Sequence, residues 1–138
     1  MVGRKFYQAI KIDVIARTIT EVYLRKANPW GDVQCIIDGP LEDVGRFGNP
    51  RNKVQSILYI NEDLQTAPVG RYGFSMDNIN HLYCPYFVGN GIIVGVNVVT
   101  RNVVNVRTTI LKVSRHMMFW SAADIAKMPN LRQAVKNP

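Results

Sequence analysis

Residues that could do chemistry are few in this chain, and their spacing argues against catalysis. No G-x-S-x-G, H-E-x-x-H, H-x-E with C-x-x-C, or Walker-type glycine loop is present. Two acid pairs occur, Glu42-Asp43 and Glu62-Asp63. Adjacent residues on a strand or turn point apart, so neither pair reads as a general acid and base. His81 and His116 are isolated from each other in sequence and read as surface or packed histidines. Cys35 and Cys84 form no C-x-x-C. They read as two buried free thiols, because an unpaired cysteine packs like a small hydrophobe. His81 and Cys84 fall short of the four ligands a structural zinc needs. We therefore expect a non-enzymatic protein with no metal and no cofactor.

The glycine run Gly89-Asn90-Gly91-Ile92-Ile93-Val94-Gly95 invites a dinucleotide reading. A dinucleotide-binding glycine loop follows a strand and opens a helix. Here the glycines precede β-branched residues, so a tight turn at Asn90-Gly91 entering a strand is the better account, with glycine supplying positive φ. The clearer binding signal is basic residues interleaved with aromatics. Arg71, Tyr72 and Phe74 form one group; Arg107, Arg115, His116, Phe119 and Trp120 form another. Arginine forks onto phosphate, and aromatic faces stack bases. The competing reading places these rings in the core and the arginines at its rim.

Charge distribution points the same way. Residues 1–78 hold ten Lys/Arg and nine Asp/Glu, whereas residues 79–138 hold seven Lys/Arg and the single acid Asp124. The second half thus carries +6 of the formal +7. Such a field attracts phosphates, nucleotides, nucleic acid or an acidic protein surface. An ordinary solvated basic face is the bland alternative.

The elements that must position these residues follow from periodicity. Residues 7–15 and 18–25 alternate apolar and polar around Arg17 and predict an antiparallel hairpin. Asn28-Pro29-Trp30, with Asp32 in the first turn, predicts a helix over 29–38 whose face is Val33, Ile36 and Ile37 and whose end is Gly39-Pro40. Leu41 to Phe47 and residues 54–60 read as strands, and Tyr72 to Met76 as a short one. Gly91 to Val98 is the strongest strand, apolar on both faces, as a central strand is. Thr108 and Thr109 can cap a short helix over Ile110 to His116. Met117 to Trp120 reads as a strand, and Ser121 to Asp124 as a capping-box-like helix start. The predicted core includes Ile10, Ile12, Val22, Trp30, Ile36, Leu58, Ile92 and Val94. The fold class expected is α+β: one domain over 1–138, a mostly antiparallel twisted sheet with two or three short helices, and a tail at 130–138 that frays. No apolar run approaches the ~18 residues of a membrane span, and the start shows no signal-peptide pattern. A cytoplasmic protein that does not enter membranes is expected.

Laid out in order, the chain runs Ile19-Thr20-Glu21-Val22, a helix, Leu58-Tyr59-Ile60-Asn61-Glu62, the Gly89 to Gly95 run, Thr108-Thr109-Ile110-Leu111-Lys112-Val113, then Met118-Phe119-Trp120. Over roughly residues 10 to 120 this resembles a family of small uncharacterised proteins common in bacteriophage and mobile-element genomes. Members read "tvtev", a helix, "lyvdEeg", "GkGvvvG" and "tTleev". Asn61 stands where that family often has Asp, and the loop from Arg46 to Lys53 is expanded. The resemblance implies a phage origin, an α+β sheet and action in the bacterial host cytoplasm; it supplies no catalytic residues. Together these readings lead to an expected phage-encoded binding protein that sequesters a small anionic, nucleotide-type host immune signal. The expected ligand-binding residues are Arg71, Tyr72, Phe74, Asn90, Arg107, Thr108, Lys112, Arg115 and His116. Thr108 is taken as the helix cap, with Arg107 beside it. The alternatives are a protein–protein inhibitor of a host factor and a nucleic-acid-binding accessory protein, the latter without a supporting motif. Homo-oligomerisation is expected from the abundance of β-branched and aromatic residues and the need to protect edge strands.

Overall fold

The computed structural model describes residues 5–66, 70–77 and 86–127. Its spine is an antiparallel sheet in the order β2-β1-β7-β4-β3, with β8 also pairing β7. The strands are β1 (Phe6–Asp13), β2 (Thr18–Arg25), β3 (Leu41–Phe47), β4 (Val54–Asn61), β7 (Gly91–Asn97) and β8 (Val103–Val104). A second, three-stranded sheet is ordered β6-β5-β9, from β6 (Phe87–Val88), β5 (Gly73–Met76) and β9 (Met117–Trp120). Among the described residues, the helices α1 (Pro29–Ile37), α2 (Ile110–Arg115) and α3 (Ala122–Ala126) complete the fold. The chain is α+β as expected.

The alternation that predicts the strands also sorts their side chains onto two buried faces. One face gathers Ile10, Ile12, Leu58, Ile60 and Ile93 and is covered by Phe74, Met76 and Phe87 from the small sheet and Val113 from α2. The other gathers Ala9, Leu24, Ile57, Ile92, Val94 and Val96 beneath Val33 and Ile37 of α1. Burial of both faces explains why β7 is apolar throughout. β3 carries a bulge between Asp43 and Gly45. The extra residue, Val44, is buried in the first cluster, whereas Leu41 packs against the second. Tyr59 meets Trp30 edge-on, centroids 5.5 Å apart, and burial pushes its phenol up to about 12.

Several local expectations need correction. Val22, Trp30 and Ile36 are half-buried at the edge of the core, while Val33 and Ile37 supply the helix's buried face. The residue that ends α1 in the left-handed region is Asp38, at φ 60°, not Gly39. Gly39 is instead a close-approach glycine: a Cβ there would run into the Asn61 side chain. Asn61 Nδ2 donates to the Asp38 carbonyl at 3.2 Å, and its Oδ1 accepts from the Asp63 amide at 2.9 Å. That joins the end of α1 to the 3-10 turn Glu62–Thr66. In the glycine run, the positive φ belongs to Gly89, at 83°, not to Gly91. Gly91 is small because Phe74 and Leu58 press on it. Cys35 is exposed rather than buried. His81, Cys84 and the tail at 130–138 lie outside the described residues. No helix among the described residues is long and apolar enough to cross a membrane.

Candidate functional site

The segment after β8 carries the candidate site because the central sheet lets it cross close by. Gly95 of β7 has no side chain, and a Cβ there would run into the backbone oxygens of Asn105 and Val104. In that space the segment is tied down at successive residues. Asn105 Oδ1 accepts from the Gln8 amide at 2.9 Å, and the Val106 amide donates to the Gln8 carbonyl at 3.0 Å. The Arg107 amide donates to Ser56 Oγ at 3.1 Å. The Arg107 backbone is thus fixed, while its side chain is left exposed.

Around Arg107 lies a cleft of about 230 Å³ lined by Phe47, Gly48, Ser56, Arg107, Thr108, Lys112, Val113 and His116. Thr108 is not the helix cap. Thr109 is, its hydroxyl accepting from the Lys112 amide at 3.2 Å. Thr108, one residue earlier, lines the cleft instead. His116 is held by Asp77, Nδ1 donating to Oδ1 at 2.8 Å, while the Asp77 amide donates to the His116 carbonyl at 2.9 Å.

A second cleft, of about 500 Å³, adjoins it and is lined by Phe47, Gly48, Asn49, Asn52, Lys53, Val54 and Arg107. Its wall is the loop between β3 and β4. The buried Gln55 holds that loop, donating from Nε2 to the carbonyls of Asn49 at 2.8 Å and Asn52 at 2.7 Å. The cations lining these two clefts are Arg107, Lys112 and Lys53. Among the described residues, none of Arg107, Lys112 and Lys53 forms an ion pair, whereas Arg25 is paired with Asp32, Arg46 with Asp43 and Lys11 with Asp13. Among the described residues, no carboxylate lines either cleft. Unneutralised cations around concave walls make a positive potential that favours an anion.

The residues expected to bind therefore divide. Arg107, Thr108, Lys112 and His116 come together in the first cleft. Arg71, Tyr72 and Asn90 line a different cleft, of about 360 Å³, with Val14, Ile15, Ile36 and Leu64. Asn90 also serves the fold there, its Oδ1 accepting from the Val14 amide at 2.9 Å. Phe74 is fully buried under the main sheet. Arg115 is exposed and does not line the first cleft. Phe119 packs on the core, and Trp120 donates from Nε1 to Ser75 Oγ at 2.8 Å. The aromatic ring at the Arg107 clefts is Phe47, which sequence reasoning left in a strand. Lys53, Asn49 and Asn52 went unmarked as well. The basic loop from Arg46 through Arg51 to Lys53 was their visible signal, but it lies in the electrically balanced half of the chain.

No protein-family model, curated protein or solved structure matches this chain.

Proposed function

We propose that this protein is a non-enzymatic binder that captures a small phosphate-bearing ligand of nucleotide type in the clefts around Arg107. The observation that carries this reading is the convergence of Arg107, Lys112 and Lys53 on two adjoining clefts that no carboxylate among the described residues lines. Arginine supplies a planar fork for phosphate oxygens and lysine a point charge. Phe47 offers a ring edge or face to a base, and Asn49 and Asn52 offer amides to its hydrogen-bonding edge. The proposed setting is that of the phage resemblance: a protein acting in an infected bacterial cell, where sequestering a nucleotide immune signal needs only tight, stoichiometric capture.

Isothermal titration against cyclic dinucleotides and ADP-ribose species tests the proposal. Binding that weakens as salt rises is the expected result, because exposed charges are screened within about 8–10 Å at ordinary ionic strength. Absence of binding across the panel at about 100 μM ligand would overturn it, since useful sequestration needs far tighter capture.

A further inference from the structure

Resting on that reading, we infer that the ligand carries two linked phosphate groups and straddles Arg107, one phosphate on the Lys112 side and the other on the Lys53 side. The two clefts share Phe47, Gly48 and Arg107, so they are neighbouring compartments. Each compartment has its own lysine, and neither lysine is neutralised by an ion pair among the described residues.

The compartments also differ in chemistry. The Lys112 side is the smaller, about 230 Å³ against about 500 Å³, and is lined by the hydroxyl-bearing Ser56 and Thr108 and by the Asp77-anchored His116. Hydroxyl, guanidinium and ammonium donors around a small space suit a terminal phosphate. On the Lys53 side the larger volume and the Asn49 and Asn52 amides suit a nucleoside followed by a second phosphate. Phe47, shared by both, sits where a sugar or base would cross. The loop that forms the larger compartment is held from below by Gln55, so the compartment exists before any ligand arrives. The ligand class is thus a phosphorylated dinucleotide rather than a mononucleotide or inorganic phosphate.

The experiment is calorimetric titration of the intact chain with nucleoside 5′-monophosphates and with 5′-phosphorylated dinucleotides, each in adenine, guanine and uracil forms. At least one dinucleotide should bind about tenfold tighter or more than its mononucleotide, or bind where the mononucleotide does not. Lys53→Ala should abolish that gain, while Lys112→Ala should weaken both probes. Lys53 contributes a backbone carbonyl to Val98, which alanine keeps, and an unchanged melting temperature confirms it. Equal affinity for both probe types, or a gain that survives Lys53→Ala, would overturn the two-compartment inference and leave the proposed function standing. Failure of every probe, together with the cyclic dinucleotides and ADP-ribose species, would overturn both.

Discussion

Arg107 and Gln65 show how differently two polar residues serve this chain. Arg107 presents an exposed guanidinium on a fixed backbone. Arg107→Ala should weaken ligand capture by about 1.5–3 kcal/mol, the range for a charge-assisted hydrogen bond, and shift stability by no more than about 0.5 kcal/mol. Affinity and melting temperature measured on the same variant check both halves. Gln65 is 1% exposed and hydrogen-bonds backbone groups with both ends of its amide. Its Nε2 donates to the carbonyls of Asn61 and Val88, both at 2.8 Å, and its Oε1 accepts from the Val88 amide at 2.9 Å. It thereby pairs with β6 as a neighbouring strand would. Gln65→Leu keeps the bulk but strands three buried backbone groups, and at about 1–3 kcal/mol for an unsatisfied group should cost about 3 kcal/mol in a denaturant melt. Neither role was legible from residue type alone. Arg107 was singled out through its basic neighbourhood, but Gln65 looked like an ordinary loop glutamine, because its partner Val88 lies 23 residues away. The Thr108 and Thr109 exchange has a similar cause. Two adjacent threonines offer the same hydroxyl, and only the backbone geometry decides which one caps.

Among the elements, two glycines in β7 separate stability from binding. Gly91→Ala should destabilise the chain by pressing on Phe74 at 2.8 Å and Leu58 at 3.0 Å, a cost of about 1–3 kcal/mol for overpacking, while the Arg107 segment stays in place. Gly95→Val should instead displace residues 104–107, since its side chain meets their backbone. Stability and ligand affinity should then fall together in paired melting and titration experiments. The β1–β2 hairpin and α1 are fastened by Arg25 and Asp32. The guanidinium donates from Nη2 at 2.6 Å and from Nε at 3.0 Å, and the Arg25 amide donates at 2.8 Å. These bonds from Arg25 hold the Asp32 carboxyl below its ordinary value. A carboxyl lowered in the folded state stabilises it above the unfolded value, and loses that contribution as pH falls through the folded one. Asp32→Asn should therefore reduce stability at neutral pH and make unfolding less steep below about pH 4, as read by circular dichroism. The long strands and α1 were legible because alternation and caps are local signals. The small sheet was less so. Its strands have two to four residues, and β5 gains its partners from β6 and β9. The Lys53 side of the groove was hidden for the same reason, since only sheet pairing of β4 with β7 brings that loop to Arg107.

For the whole molecule, the charge split along the sequence does not survive as a split in space: the groove draws Lys53 from the balanced half and Arg107 and Lys112 from the basic half. The sheet's faces are covered, but β2 and β3 end its pairing order, and Ile15, Val99, Leu111 and Met118 are more than half exposed. Edge strands and exposed apolar residues favour self-association. Light scattering at about 50 μM should therefore report a mass above the 15.6 kDa of one chain, and a particle of that mass would argue for a monomer. Strand order also has a consequence in time. β7, at residues 91–97, pairs with β1 through Ile10 to Ile12 and with β4 through Val54 to Ile60. The two hairpins made earlier in the chain, β1–β2 and β3–β4, share no ladder until it is present. During synthesis these two hairpins therefore emerge before the strand that joins them. Closing loops of that length before they are rewarded by contacts places folding in the milliseconds-to-seconds range of non-local β proteins. Stopped-flow refolding should find it there, and a truncation before Gly91 should remain unfolded.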